Sequence, residues 1–206
     1  QTIQQAFLMG AIDAELTDDA LRDCDMVLVS LYPGAIVEWV KAHADDFKPG
    51  CLVIDCGGVK QSICAELTPI SRAAQWHFLG GHPMAGRETL GVRNADDGIF
   101  RGANYIVTPT DKNTPQAIEA CEQLGRMLGF ARISRLSPQD HDRMIGFVSQ
   151  LTHCIAVTLM TCNDIEHLER YTGDSFRDLT RIAKINDEMW SQLFLANRPA
   201  LLEQMD

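Results

Sequence analysis

Three stretches of the chain hold side chains whose types and spacing could do chemistry. In the first, an apolar run from Trp76 to Leu79 leads through Gly80 and Gly81 to His82-Pro83. An imidazole titrates near neutrality, so a histidine held in one place is the natural candidate for proton transfer. Pro83 fixes its own φ and confines the residue before it to extended conformations, which aims the ring. If Trp76 to Leu79 is a strand that stops at the two glycines, His82 sits at its carboxyl end, the edge where open α/β sheets bind ligands. The competing reading of the dipeptide alone is a solvated loop histidine.

The second stretch is a long apolar helix beginning at the cap Ser137-Pro138. Asp142, Gly146, Ser149 and His153 recur along it at steps of four, three and four, which puts a polar stripe on one face among Met, Ile, Phe, Val and Leu. Gly146 leaves a thin spot where a ligand or another backbone could approach. A histidine satisfied within the helix is the alternative for His153. The third stretch is FRDLTRIA at 176–183, with Arg177, Asp178 and Arg181. Asp178 and Arg181 are spaced as an ordinary i,i+3 surface pair. Equally, a planar guanidinium there could grip a carboxylate with two parallel bonds.

The elements that must position these residues alternate at first. Gln1 to Met9 reads as the end of an amphipathic helix stopped by Gly10. Asp25 to Leu31 is a β-branched run followed by Tyr32-Pro33-Gly34 and a helix carrying Ile36, Val37 and Val40. CLVID at 51–55 repeats the pattern, followed by Gly57-Gly58 and a helix that Pro69 should break or kink. Beyond His82 come a strand at 105–107, a helix capped by Thr114-Pro115 with Ile118, Cys121, Leu124 and Leu128 as its buried stripe, and a strand at 130–133. From Ser137 onward no strand signal remains. A domain boundary is expected near Leu136.

With 206 residues, 46% of them hydrophobic, the chain can bury a substantial core. Its formal charge of −10 opposes nucleic acid and anionic membranes. An anionic substrate therefore needs a local cation. Seven cysteines with no CxxC spacing suit free thiols in a reducing compartment, so a cytoplasmic location is expected. The apolar run from Met144 to Cys162 approaches the length of a membrane span but carries Gln150 and His153, so a buried core helix is expected.

Together these stretches resemble the prephenate/arogenate dehydrogenase family, nicotinamide-dependent enzymes that complete tyrosine synthesis. The resemblance rests on GGHPMAGRETLG at 80–91, IF at 99–100 and TP at 108–109. It rests also on His141-Asp142 with Ser149 and His153, on FRDLTRIA with Met189-Trp190 and Asn197, and on DCGGVK at 55–60. It implies an α/β, doubly wound, Rossmann-like dinucleotide-binding domain over residues 1–136 and an all-α substrate and dimerisation domain over residues 137–206. It further implies oxidative decarboxylation of prephenate with hydride transfer to NAD. His82 would accept the ring hydroxyl proton and Arg181 would bind a substrate carboxylate. Glu88, His153 and Asp178 would line or order the substrate pocket, and Tyr32, Pro33, Gly57, Gly58, Val59 and Lys60 would lie beside the cofactor. No metal is implied, and a homodimer through the helical domain is.

Two positions depart from the resemblance. Many members carry serine at Gly58, where it hydrogen-bonds the ring hydroxyl, and many carry histidine at Gln150. No GxGxxG occurs in the chain, so the expectation is a dinucleotide-binding domain lacking its first strand and Gly-rich turn, with the helical domain also cut short. Arogenate in place of prephenate, NADP in place of NAD, and a non-catalytic binding module are the alternatives. The related β-hydroxyacid dehydrogenases use a lysine on the interdomain helix, and no lysine occurs here between Lys112 and Lys184.

Overall fold

A computed structural model describes residues 2–86 and 91–206. The chain divides into two compact units, Gln1–His141 and Asp142–Asp206. In the first, after α1 (Thr2–Leu8) and α2 (Asp18–Asp23), the chain builds a five-stranded sheet in the order β1 (Met26–Val29), β2 (Leu52–Asp55), β3 (His77–Met84), β4 (Asn104–Thr108), β5 (Arg132–Arg135). β1, β2 and β3 run parallel, β3 and β4 antiparallel, and β4 and β5 parallel. Helices α3 (Pro33–Ala42), α4 (Gln61–Ala73) and α5 (Pro115–Met127) connect them.

β2 is buried along its whole length, as expected of a strand covered on both faces. On one face Leu52, Ile54 and Leu79 pack with Tyr105, Val107 and the α5 residues Ala117 and Cys121. On the other face a side chain at Gly80 would meet Cys64 of α4. Thr114 caps α5 by accepting from Ala117 N, as expected. Of the expected stripe of α5, Cys121 is buried beside Ala117, Glu122 and Gly125, and Ile118 and Leu124 are partly buried against the core, whereas Leu128 is exposed beyond the helix end. Pro69 is carried inside α4 and does not end it.

The larger difference concerns β3. Gly80 and Gly81 do not stop the strand; it continues through His82 and Pro83 to Met84. Its pairing with β2 ends at Gly80, opposite Asp55, and from there it pairs with β4 alone, His82 opposite Ile106. His82 therefore lies inside a strand, but past the carboxyl end of the parallel part of the sheet. The glycines are needed because neighbours come too close for a side chain. A Cβ at Gly80 would stand 2.0 Å from Thr108 Oγ1, and one at Gly81 would stand 2.5 Å from Tyr105 Oη and 2.9 Å from Ile54 Cγ2.

The second unit is helical. It continues α6 (Pro138–Ile145) into a π-helical turn (Gly146–Leu151), α7 (Thr152–Thr161), α8 (Asp174–Thr180), a 3-10 turn (Arg181–Ala183), α9 (Asp187–Ala196) and α10 (Arg198–Met205). The π turn adds a residue and shifts the expected stripe. Asp142, Gly146 and Gln150 are buried, while Ser149 and His153 are only half-buried. Gly146 meets a backbone, since a Cβ there would be 3.2 Å from Ala200 O of α10. Gln150 donates to Leu193 O at 3.1 Å and accepts from Asn197 Nδ2 at 2.8 Å, and Asn197 also donates to Asp142 O. This knot pins α9 and α10 to the long helix. The expectation of a buried core helix is not met: Met144, Phe147, Val148, Ile155 and Met160 are 44–57% exposed. The buried side is taken up by α10 and the polar knot, which leaves the opposite apolar face uncovered.

Gly80→Ala is expected to destabilise the protein by about 1–3 kcal/mol in urea unfolding, because a methyl there overpacks a buried contact. Gly86→Ala, where a Cβ meets nothing within 4 Å among the described residues, is the control and should leave the midpoint unchanged.

Candidate active site

Among the described residues, the chemistry of the first unit collects at the carboxyl ends of β1, β2 and the parallel part of β3. β2 ends in Asp55, fully buried, and the loop after it returns Lys60, also fully buried. Lys60 Nζ donates to Asp55 Oδ2 at 2.5 Å, to Gly57 O at 2.5 Å and to Val59 O at 3.2 Å. Gly57 N donates to the same Asp55 oxygen at 3.0 Å. The loop is thus wound around one buried ion pair. Gly57 is closely enclosed, since its Cβ would be 3.0–3.1 Å from Ile36, Asp55 and Ile63. Gly58 remains partly exposed, and Val59 and Pro33 are buried. Tyr32, partly exposed, stands as the N-cap residue of α3 just after β1.

His82 is partly buried on β3. Its Nδ1 lies 2.8 Å from Nε2 of His141, with ring centroids 5.0 Å apart and planes at 57°. His141 is fully buried in the first turn of α6. The Ser137 cap places it there: Ser137 Oγ accepts from Asp140 N at 3.0 Å and donates to Asp140 Oδ2 at 2.6 Å, while His141 N donates to Ser137 O. Burial first, and then the nearby Lys60 and His141, hold the His82 imidazole well below its usual range. It is therefore neutral at physiological pH and able to accept a proton. Burial pushes the Asp55 carboxyl up, against the pull of Lys60, the Gly57 N–H and His141.

The remaining residues singled out from the sequence fall elsewhere. Glu88 lies outside the described residues. His153, Asp178 and Arg181 belong to the second unit. His153 Nδ1 is 2.8 Å from Ser149 O, so that nitrogen donates, and its ring stacks on Trp190 at 3.7 Å. Burial lowers its pKa. Arg181 opens the 3-10 turn after α8 and is exposed, as is Asp178. An i,i+3 ion pair on α8 joins Arg177 to Asp174, and Arg177 also donates to Thr172 O at 2.8 Å. The Lys60 side chain points into the core, so its part at any ligand is to shape the loop. Two residues carry more of the site than the sequence suggested: Asp55 and His141. For Asp55 the signal was a carboxylate ending an apolar strand five residues before a lysine; for His141 there was none beyond its place beside Asp142.

An open, mostly parallel α/β sheet with its polar residues at the strands' carboxyl edge, joined to a helical unit, defines a Rossmann-like protein with an all-α second part. Comparison with known proteins narrows this. Residues 1–132 match the model of the prephenate dehydrogenase nucleotide-binding domain, and residues 137–206 that of the prephenate dehydrogenase dimerization domain. The chain belongs to the prephenate dehydrogenase family. It is 30% identical over 205 residues to a prephenate dehydrogenase of Lactococcus lactis, covering 96% of this chain and 55% of that protein. It is 32% identical over 162 residues to one of Bacillus subtilis, covering 75% and 43%. The crystal structure of prephenate dehydrogenase from A. aeolicus in complex with hydroxyphenyl propionate and NAD+ superposes with a TM-score of 0.87 at 28% identity, covering 98% of this chain and 72% of that one. The chain spans about half the length of the curated relatives it matches.

Removing one partner of the buried pair strands the other charge. Lys60→Met is expected to cost about 3–5 kcal/mol. The double variant Asp55→Asn, Lys60→Met should recover a large part of that loss, measured as a double-mutant cycle in urea.

Proposed function

We propose that this chain carries the catalytic residues of an NAD-dependent prephenate dehydrogenase, which converts prephenate to 4-hydroxyphenylpyruvate and CO2 in tyrosine synthesis. The observation that carries the reading is a neutral, partly buried histidine past the carboxyl edge of a parallel sheet, in a chain of this family. Prephenate is a cyclohexadienol with two carboxylates. When a base takes its hydroxyl proton as hydride leaves C4, loss of CO2 yields an aromatic ring, and aromatisation supplies the driving force. His82 is the base. Arg181, exposed and always charged, is the ligand for a carboxylate, with His153 and Asp178 ordering its surroundings.

NAD supplies the hydride acceptor when bound. The residues fit it in two respects: Tyr32 and Gly58, both partly exposed, stand just beyond the carboxyl ends of neighbouring parallel strands, and the glycine loop at 57–58 keeps the backbone open there. Gly58 offers no hydroxyl, so His82 is the main partner of the substrate's ring hydroxyl. Arogenate is the second reading. It is favoured by a relative 26% identical over 152 residues, a probable arogenate/prephenate dehydrogenase of Methanocaldococcus jannaschii. The uncovered apolar face of the long helix, in a segment matching a dimerization domain, supports a homodimer. A cytoplasmic location agrees with free thiols at all seven cysteines.

The test is NADH formation from prephenate by the full-length protein. His82→Asn keeps a hydrogen-bonding side chain without the basicity, so kcat should fall by about 10² to 10⁴ with KM little changed. In the unmodified protein the acidic limb of kcat/KM should lie below pH 6.5, because His82 is held below that value and activity is lost only once it protonates. Near-normal turnover by His82→Asn with the same acidic limb would place the base elsewhere. Arg181→Lys keeps the charge but loses the planar fork, and should raise KM for prephenate by about tenfold or more. Unchanged kinetics would return Arg181 to an ordinary surface role.

A further inference from the structure

The contact between His82 and His141 constrains where protons can be. Nδ1 of one ring faces Nε2 of the other at 2.8 Å, and only one hydrogen fits between them. If it belongs to His141, then neutral His82 carries its own proton on Nε2 and offers a donor outward. In that state it cannot act as a base. If it belongs to His82 Nδ1, the Nε2 lone pair is free to take a proton, and neutral His141 must hold its proton on Nδ1. Only the second arrangement performs the reaction proposed above.

The surroundings support it. His141 is fully buried, so no solvent competes for the nitrogen that faces His82. When His82 gains a proton at Nε2, its Nδ1–H bond to His141 becomes charge-assisted and strengthens.

We propose that His141 is a positioning residue for His82: it accepts the His82 Nδ1–H, presents Nε2 outward as the basic nitrogen, and shares the charge the ring acquires. This rests on the functional reading above, which selects the tautomer, whereas the contact between the two rings stands without it. The tautomer is read directly by long-range proton–nitrogen correlation on the full-length protein carrying ¹⁵N-histidine. His82 should appear protonated at Nδ1, with a downfield, exchange-protected proton that disappears in His141→Leu. In the assay, His141→Leu should lose roughly 10–100-fold in kcat with KM little changed, the usual scale for removing a partner that orients a reactive group. His141→Gln, whose amide oxygen can accept the same hydrogen, should recover part of it. A His82 protonated at Nε2 in the unmodified protein would overturn the proposal, as would full kcat in His141→Leu. A protein with the Nδ1–H tautomer but no dehydrogenase activity would support the histidine pair and overturn the functional reading instead.

Discussion

The ion pair between Lys60 and Asp55 is the interaction on which the site depends. Both side chains are fully excluded from water, an arrangement that costs several kcal/mol per charge unless every polar group nearby is engaged. Here the ammonium reaches the carboxylate and two carbonyls of its own loop, and the same carboxylate oxygen receives a backbone N–H, so that only Asp55 Oδ1 is left without a hydrogen bond among the described residues of this loop. The loop has little freedom as a result, because any other path would strand a charge. The pair also joins the end of β2 to the start of α4. Replacing it with apolar residues could give comparable stability, so we read its retention as a matter of shape and field. It forms the turn at the sheet edge and adds a positive charge to the burial that holds the neighbouring imidazole below its usual range.

That imidazole is delivered by a second constraint, the close packing around Gly80 and Gly81. These two residues let β3 run close against Thr108 and Tyr105 of β4 on its way past the end of β2. Because β4 is antiparallel, it supports the overshooting half of β3 with a regular ladder, and His82 gains the rigidity of a strand where a loop would have left it mobile. The mixed sheet is therefore the means of holding a base beyond the parallel edge. In the helical unit an uncharged network does the comparable work. Gln150 and Asn197 satisfy each other and two backbone carbonyls, fixing α9 and α10 at a place where the π turn has disturbed the regular ladder.

Much of this was readable from residue order. The alternation of β-branched runs with capped helices, the Thr114-Pro115 start of α5 and the loss of strand signal after Ser137 came from local physics that tertiary contacts did not override. The glycines at 80 and 81 misled for a definite reason. A glycine that ends a strand and a glycine that lets two elements touch look alike until the neighbour is known. The polar stripe on the long helix was displaced for a related reason, since a π turn changes the periodicity and leaves no mark in composition. Gln150, which stood out only as a departure from the family pattern, proved to be half of a buried amide pair.

By itself the sequence determined that this is an alternating α/β chain followed by helices, that His82 is aimed by a proline, and that its motifs belong with the prephenate dehydrogenases. These follow from covalent limits on φ, from period and from residue order. Only the tertiary structure decided that His82 stands within a strand, that Lys60 serves Asp55 from inside the core, and that His141 is the neighbour of His82. Those facts depend on which buried charges and ring nitrogens find each other across 59 positions of chain. Low-dielectric pairing between distant residues has no local signature.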